Sequence, residues 1–337
     1  MTGMPTTAHD AGSDAPAVGS ARTVRRWRPG GLTIAITLLA LAGLVSGLYP
    51  MTAAWVTSYN QSRVIETYES AVRHAAPDAS EQLRQAKEYN EALTAGVVLA
   101  ENANVPVGDG TLSESLDYRS ILSANADGLM ARVKIPSIDV DLPVFHGTTD
   151  DVLNKGAGHL EGSHLPIGGE STRAVITAHR GLANATMFTD LDKVVVGDLI
   201  TVETFGKVLT YRVRDIQVIE PDANGTIRPE VGEDLLTLIT CTPLGINTHR
   251  IVVTGERVTP TPVREVEAAG AAPTIPGFPW WAVLGGGGLL LIAAYAGWQG
   301  VQDAGQRRPR TRTERVHTRD GKDTARAERD AARGEER

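Results

Sequence analysis

A mainly β domain, exported and held between two membrane-crossing helices, is the fold class this sequence predicts. Three observations carry that expectation. Short β-branched runs separated by turn signals fill residues 128–258. Two uninterrupted apolar stretches, residues 31–49 and 277–299, each have about the 20 residues a helix needs to cross a hydrocarbon core. The composition, 42% hydrophobic and 22% charged over 337 residues, allows one packed core plus appendages.

Taken in order, residues 1–30 read as a disordered cytoplasmic tail, small and polar at its start, with Arg22, Arg25, Arg26 and Arg28 just before the first apolar run. The second run precedes Arg307, Arg308, Arg310 and Arg312 within a charged tail, residues 300–337. Positive charge on the outer flank of both runs predicts both termini in the cytoplasm and residues 50–276 on the far side. A cleaved signal peptide is the alternative for residues 31–49, but no clear small-x-small cleavage site follows, which favours a retained anchor. Trp280, Trp281 and Trp298 stand where an aromatic belt would meet the headgroups.

Residues 50–127 read as a helical linker with a possible lid. Val64, Ile65, Tyr68 and Val72 recur at helical spacing, and Leu83, Ala86, Tyr89 and Leu93 do so again, so two helices are expected within residues 59–95. Asp78 with Glu81 has capping-box spacing for the second. Then the period changes. "ARVKIPSIDVDLPVFHG" alternates, with Pro136 and Pro143 marking bends or an edge strand. "RAVITAH", "LITVET", "VLTYRVRDIQVI", "DLLTLITC" and "RIVVTGERV" follow, each bounded by Gly, Pro, Asp or Asn. Many short strands with few helical intervals predict an antiparallel barrel or sandwich over residues 128–258. Residues 259–276, rich in Pro and Ala, read as a spacer back to the membrane.

The charge and the cysteine count narrow the function. A net charge of -7 argues against nucleic-acid binding, which needs clustered positive charge. Cys241 is the chain's one cysteine and has no internal disulfide partner in an oxidising space, so it is either a buried hydrophobe or a reagent. A reactive thiol needs an imidazole or cation beside it. His179 ends the strand-like "RAVITAH", and Arg250 opens "RIVVTGERV" after a turn containing Pro243, Gly245 and Asn247. An antiparallel return would set Arg250 beside Cys241, and a third strand of a closed sheet would bring His179. Imidazole, sulfur and guanidinium together make an acyl-transfer site.

Other polar residues are read more plainly. His159 and His164 lack a third ligand or an HExxH pattern and are taken as surface or loop-packing residues, so no metal site is expected. His146 is read as a turn stabiliser, and His249 as facing away from the cleft that Arg250 enters. Asp150 and Asp151 fall short of the 6 to 8 oxygens a calcium ion takes. The glycines at 285–288 lie inside an apolar run and suit close helix packing rather than phosphate binding.

"TLITCTPLGINTHR" fits the pattern TLxTC followed by Arg, and it resembles the active-site strand and loop of sortases, the cell-wall transpeptidases of Gram-positive bacteria. The "HRG" after the histidine strand and the second apolar run make it most similar to the class C, pilin-polymerising members, with likeness over residues 48–258. The resemblance implies a closed antiparallel or mixed barrel of about eight strands with short helices. It implies that Cys241 attacks the Thr-Gly carbonyl of an LPXTG-type signal, that His179 moves protons, and that Arg250 positions substrate and stabilises the oxyanion. Thr240, Thr242 and Asn247 would assist in substrate or oxyanion binding. No cofactor is implied, and the partners would be LPXTG-bearing surface proteins or pilin subunits, acted on by a monomeric catalytic domain. The Asp-Pro-aromatic lid motif found in many class C enzymes is missing; Asp117 with Tyr118 is a weak substitute. The alternatives are a housekeeping sortase that uses a cell-wall amine, and a non-catalytic anchored scaffold whose cysteine is only packed.

Overall fold

A computed structural model describes residues 27, 29–94, 117–221 and 224–306. The chain divides into two compact units, residues 1–44 with 286–337, and residues 45–285. Among the described residues the helices are α1 (Gly31–Arg73), α2 (Ala79–Thr94), α3 (Asp150–Leu153), α4 (Val263–Glu267) and α5 (Trp280–Gln306). The strands are β1 (Leu129–Ile135), β2 (Val140–His146), β3 (Ala157–His159), β4 (Thr172–Thr177), β5 (Leu199–Thr204), β6 (Lys207–Ile219), β7 (Asp234–Thr242) and β8 (His249–Arg257).

Both α1 and α5 are long and apolar enough to cross a membrane. Leu32, Leu38, Leu39, Leu290 and Leu291 point outward and are exposed, the reverse of a helix in a soluble core. In the first unit the Gly30 amide and the Thr33 hydroxyl donate to the Asp303 carboxylate at 2.6 and 2.7 Å. A Cβ on Gly288 would lie 2.7 Å from a Leu44 methyl, so glycine permits this close approach. The expected break after residue 49 does not occur: α1 runs through Pro50. Pro50 removes one backbone hydrogen bond from the ladder, and the helix continues past it.

In the second unit the predicted helical faces are the ones that pack. Ile65, Tyr68 and Val72 of α1 are buried, as are Ala86, Tyr89 and Leu93 of α2. Asp78 accepts from the amides of Ser80 and Glu81 at 2.9 and 3.1 Å. Only half of the expected capping box forms, because the Glu81 carboxylate turns to Arg84 instead. The sheet closes as a barrel in the order β1-β2-β3-β4-β7-β8-β6-β5. Closure decides between the two predicted all-β architectures and leaves no free edge. The barrel is mixed: β2 with β3 and β4 with β7 are parallel, and the other pairs are antiparallel.

Two expectations need correction here. His159 and His164 of "GHLEGSH" are expected at the surface or packed in a loop, but Ala157–His159 forms β3 and both imidazoles are buried. Tertiary enclosure overrides the turn propensity of their glycine neighbours. Residues 259–276 were read as a spacer, yet this segment packs on the barrel. The buried Arg132 forms a paired contact with Asp141 at 2.7 Å and also donates to the Ala271 carbonyl at 2.8 Å. Glu203 accepts from the Gly270 amide at 3.3 Å. Charges enclosed in this way require partners, and the segment's backbone provides them. His146 keeps its expected role, with ring nitrogens 2.8 and 2.7 Å from the carbonyls of Gly128 and Ile121.

Candidate active site

Successive residues of a strand face opposite ways. Ala174 and Ile176 of β4, Leu236 and Leu238 of β7, and Ile251 and Val253 of β8 enter the core. The alternate positions therefore face out, and Cys241 and Arg250 are among them. β7 and β8 pair with Cys241 opposite Arg250 and Thr242 opposite His249. Directly opposed residues stand about 4.5–5.5 Å apart at Cα. The turn between them is closed by the amides of Ile246 and Asn247, which donate to the Pro243 carbonyl at 3.1 and 2.9 Å. Gly245 and Asn247 take φ of 78° and 61°, the left-handed region that glycine and asparagine tolerate. Arg250 Nη1 donates to the carbonyls of Asn247 and His249, both at 3.0 Å, so the guanidinium is held by the turn it closes.

On the other flank, β4 pairs in parallel with β7, Thr177 opposite Ile239. His179 follows two residues beyond the end of β4. The Ala178 amide still donates to the Ile239 carbonyl at 3.3 Å, which carries the chain before His179 along β7 toward Cys241. His179, Cys241 and Arg250 are each half-buried. His249 pairs with Glu220 at 3.0 Å.

The hydroxyls expected at substrate are engaged between strands. Thr240 is buried and donates to the Ala178 carbonyl at 2.8 Å. Thr242 accepts from Arg180 Nη1 at 3.0 Å. Asn247 shapes the turn with its backbone while its side chain is exposed. Tyr118 does not act as a plug over the sulfur. It is buried with its hydroxyl 3.0 Å from His159 Nδ1 and accepts from the Gly147 amide at 3.0 Å. His159 pairs with Ile176 on the core-facing row, whereas the thiol is on the outer one. Asp117 is an exposed turn residue, and residues 95–116 of the possible lid lie outside the described residues. Among the described residues no three His, Cys, Asp or Glu side chains converge to hold a metal ion.

Sequence reasoning missed two arginines. Arg180, quoted within "HRG" but given no role, is a neighbour of the histidine whose side chain reaches the residue after Cys241. Arg173 lies further down the outer face, buried, and donates to Thr237 at 2.9 Å and to Glu230 at 2.7 Å. Arg214 grips the same carboxylate at 2.6 Å, and these contacts hold Glu230 below the usual carboxylate range, Arg214 foremost. A recess of about 630 Å³ lined by Arg173, Arg214, Gln217, Arg228 and Thr254 opens there, on the face that carries Cys241.

The family description "Sortase domain" matches residues 133–258. Among solved structures, sortase C1 of GBS pilus island 1 is 37% identical, covers 60% of this chain and 93% of its own, and gives a TM-score of 0.52. Sortase C-1 from Streptococcus pneumoniae is 39% identical, covers 59% of this chain and 100% of its own, and gives 0.51. Sortase A of Streptococcus agalactiae serotype III (strain NEM316) is 29% identical over 150 residues, 42% of this chain. The match spans 60% of that relative's length. With the closed mixed barrel, the TLITC strand and these relatives together, the chain belongs to the sortase family of cysteine transpeptidases.

Proposed function

We propose that the protein is a doubly anchored extracytoplasmic transpeptidase that joins LPXTG-bearing pilin subunits, with both termini in the cytoplasm. The observation that carries this reading is the single outer row in which Cys241 opposes Arg250 and the β4 register leads to His179. In the first half-reaction the Cys241 sulfur, as thiolate, attacks the carbonyl carbon of the Thr-Gly bond. Arg250 holds the oxygen on which charge develops, and His179 gives a proton to the departing glycine amine as the C–N bond breaks. The product is a thioacyl enzyme. In the second half-reaction a pilin lysine amine attacks the thioester, His179 accepts its proton, and the amide forms as the C–S bond breaks and the Cys241 thiolate leaves. No redox partner or metal enters this balance. The arginines flanking α1 and α5 support the orientation, and the neighbour titled sortase C1 of GBS pilus island 1 supports pilin over cell-wall amines.

The test is joining of a sorting-signal peptide by the full chain. Cys241→Ala should abolish joining with the thermal transition unchanged, and His179→Ala should lower kcat by roughly 10²–10⁴-fold. Joining that persists in Cys241→Ala would exclude the mechanism. A cross-bridge amine preferred over a pilin lysine would move the assignment to the housekeeping class. Failure of a methanethiosulfonate to label the folded protein would leave a packed, inert cysteine.

A further inference from the structure

The backbone ladder between β4 and β7 runs out before it reaches the reacting residues. Its last described bond joins the Ala178 amide to the Ile239 carbonyl at 3.3 Å. Beyond it, side chains continue the connection. Thr240 Oγ1 donates to the Ala178 carbonyl at 2.8 Å, and Arg180 Nη1 donates to Thr242 Oγ1 at 3.0 Å. The residues on either side of His179 therefore bond the residues on either side of Cys241.

Arg180 is built for this task. Its side chain is 7% exposed, with Nε donating to the Thr189 carbonyl at 3.0 Å and Nη2 2.7 Å from Asp192. The Gly181 amide donates to the Thr189 hydroxyl at 3.1 Å and the His179 carbonyl accepts from the Phe188 amide at 3.0 Å, so the chain on both sides of Arg180 is tied to the same loop. A planar guanidinium engaged at all three nitrogens has one orientation, which a lysine cannot reproduce.

We propose that Arg180 is a positioning residue: anchored on Thr189 and Asp192, it fixes through Thr242 the separation of the Cys241 thiol and the His179 imidazole. The inference rests on the transpeptidase reading above. Proton transfer requires nucleophile and base within hydrogen-bond reach, and a misplacement of about 1 Å can cost roughly 100-fold in rate. Arg180 touches no reacting atom; it acts through the residue that follows the sulfur.

The experiment uses the full chain in membranes, with an LPXTG peptide and a lysine-bearing acceptor, and four variants: Arg180→Lys, Thr242→Val, their double, and Thr242→Ser. Arg180→Lys and Thr242→Val should each lower kcat by roughly 10–100-fold with KM within about twofold. Each should also change the pH profile of methanethiosulfonate labelling, because an imidazole held at a different distance activates the thiol differently. The double variant should be no worse than its worse parent, and Thr242→Ser, which keeps the acceptor, should recover most of what valine loses. Thr242→Val replaces one hydroxyl with a methyl of similar size, so the prediction stands even if Arg180→Lys folds poorly. Losses that multiply in the double variant would overturn the inference. So would a lowered melting temperature with an unmoved labelling profile. Normal kinetics in Arg180→Lys beside a dead Cys241→Ala would sink this inference alone, whereas a live Cys241→Ala would sink the reaction scheme beneath it.

Discussion

The two neighbours of β7 bring their side chains to one sulfur by different means. β8 follows β7 after the turn at residues 243–248, and that turn alone sets Arg250 opposite Cys241. β4 is a parallel neighbour, tied to β7 by side-chain bonds that each span 62 residues. A hairpin carries its register in its turn, whereas a parallel pair must be fixed by the rest of the fold. The difference shows in the polar inventory. The β8 side needs only carbonyls of the turn to hold Arg250, while the β4 side uses the hydroxyls of Thr177, Thr240 and Thr242 and the whole guanidinium of Arg180.

Changes on each flank can break or sharpen that contrast. The largest effect is expected for Arg250→Lys on the hairpin side. Lysine loses the fork that spans the turn carbonyls, and kcat/KM should fall by roughly 10–100-fold with little change in melting temperature. A drop confined to stability would mean that Arg250 only closes the turn. A middle-sized effect is expected where the two flanks meet. Gly181 has φ of 73°, and a Cβ there would lie 2.2 Å from the Leu244 methyl of the β7–β8 turn. Gly181→Ala should cost about 1–2 kcal/mol in chemical denaturation. An unaltered midpoint would show that the loop after β4 is not constrained against the hairpin turn.

The smallest effect at neutral pH, and one confined to the β4 side, is acid sensitivity. His159 pairs with β4 and is pushed down to about 3, by burial first. His146 and His164, the other imidazoles at this cluster, are also lowered by burial. Tyr118 and Tyr89 beside them stay neutral, with burial raising both phenols. Such a histidine remains neutral in the native state and binds a proton in the unfolded chain below its ordinary value of about 6.5. The unfolded state therefore holds more protons between about 6.5 and 3, so stability should fall as pH drops through that window. Urea midpoints at pH 7 and pH 4.5 test this, and His159→Gln should flatten the slope. An equal slope in the variant would assign the acid sensitivity to other groups, His146, His164 or the carboxylates.

How far the sequence could be read follows the same division. Strand positions, the helical faces of α1 and α2 and the opposition of Cys241 with Arg250 were legible, because each depends on residues close in the chain. Pro50 within α1, β3 at Ala157–His159 and the docking of residues 259–276 were not, because enclosure by distant segments reverses the local preference. Arg180 stood in plain view in "HRG", yet nothing local says that its guanidinium points at Thr242 rather than at solvent.

By itself the sequence determined two apolar spans, an all-β domain and a thiol with a guanidinium across one turn, since periodicity, run length and turn chemistry are local properties. Only the tertiary structure decided that the barrel closes, that β4 lies parallel to β7, and that the Thr240 and Thr242 hydroxyls serve the sheet. Those outcomes depend on which distant strands share hydrogen bonds, and a parallel register is chosen by the packing of the whole core rather than by any stretch of the chain.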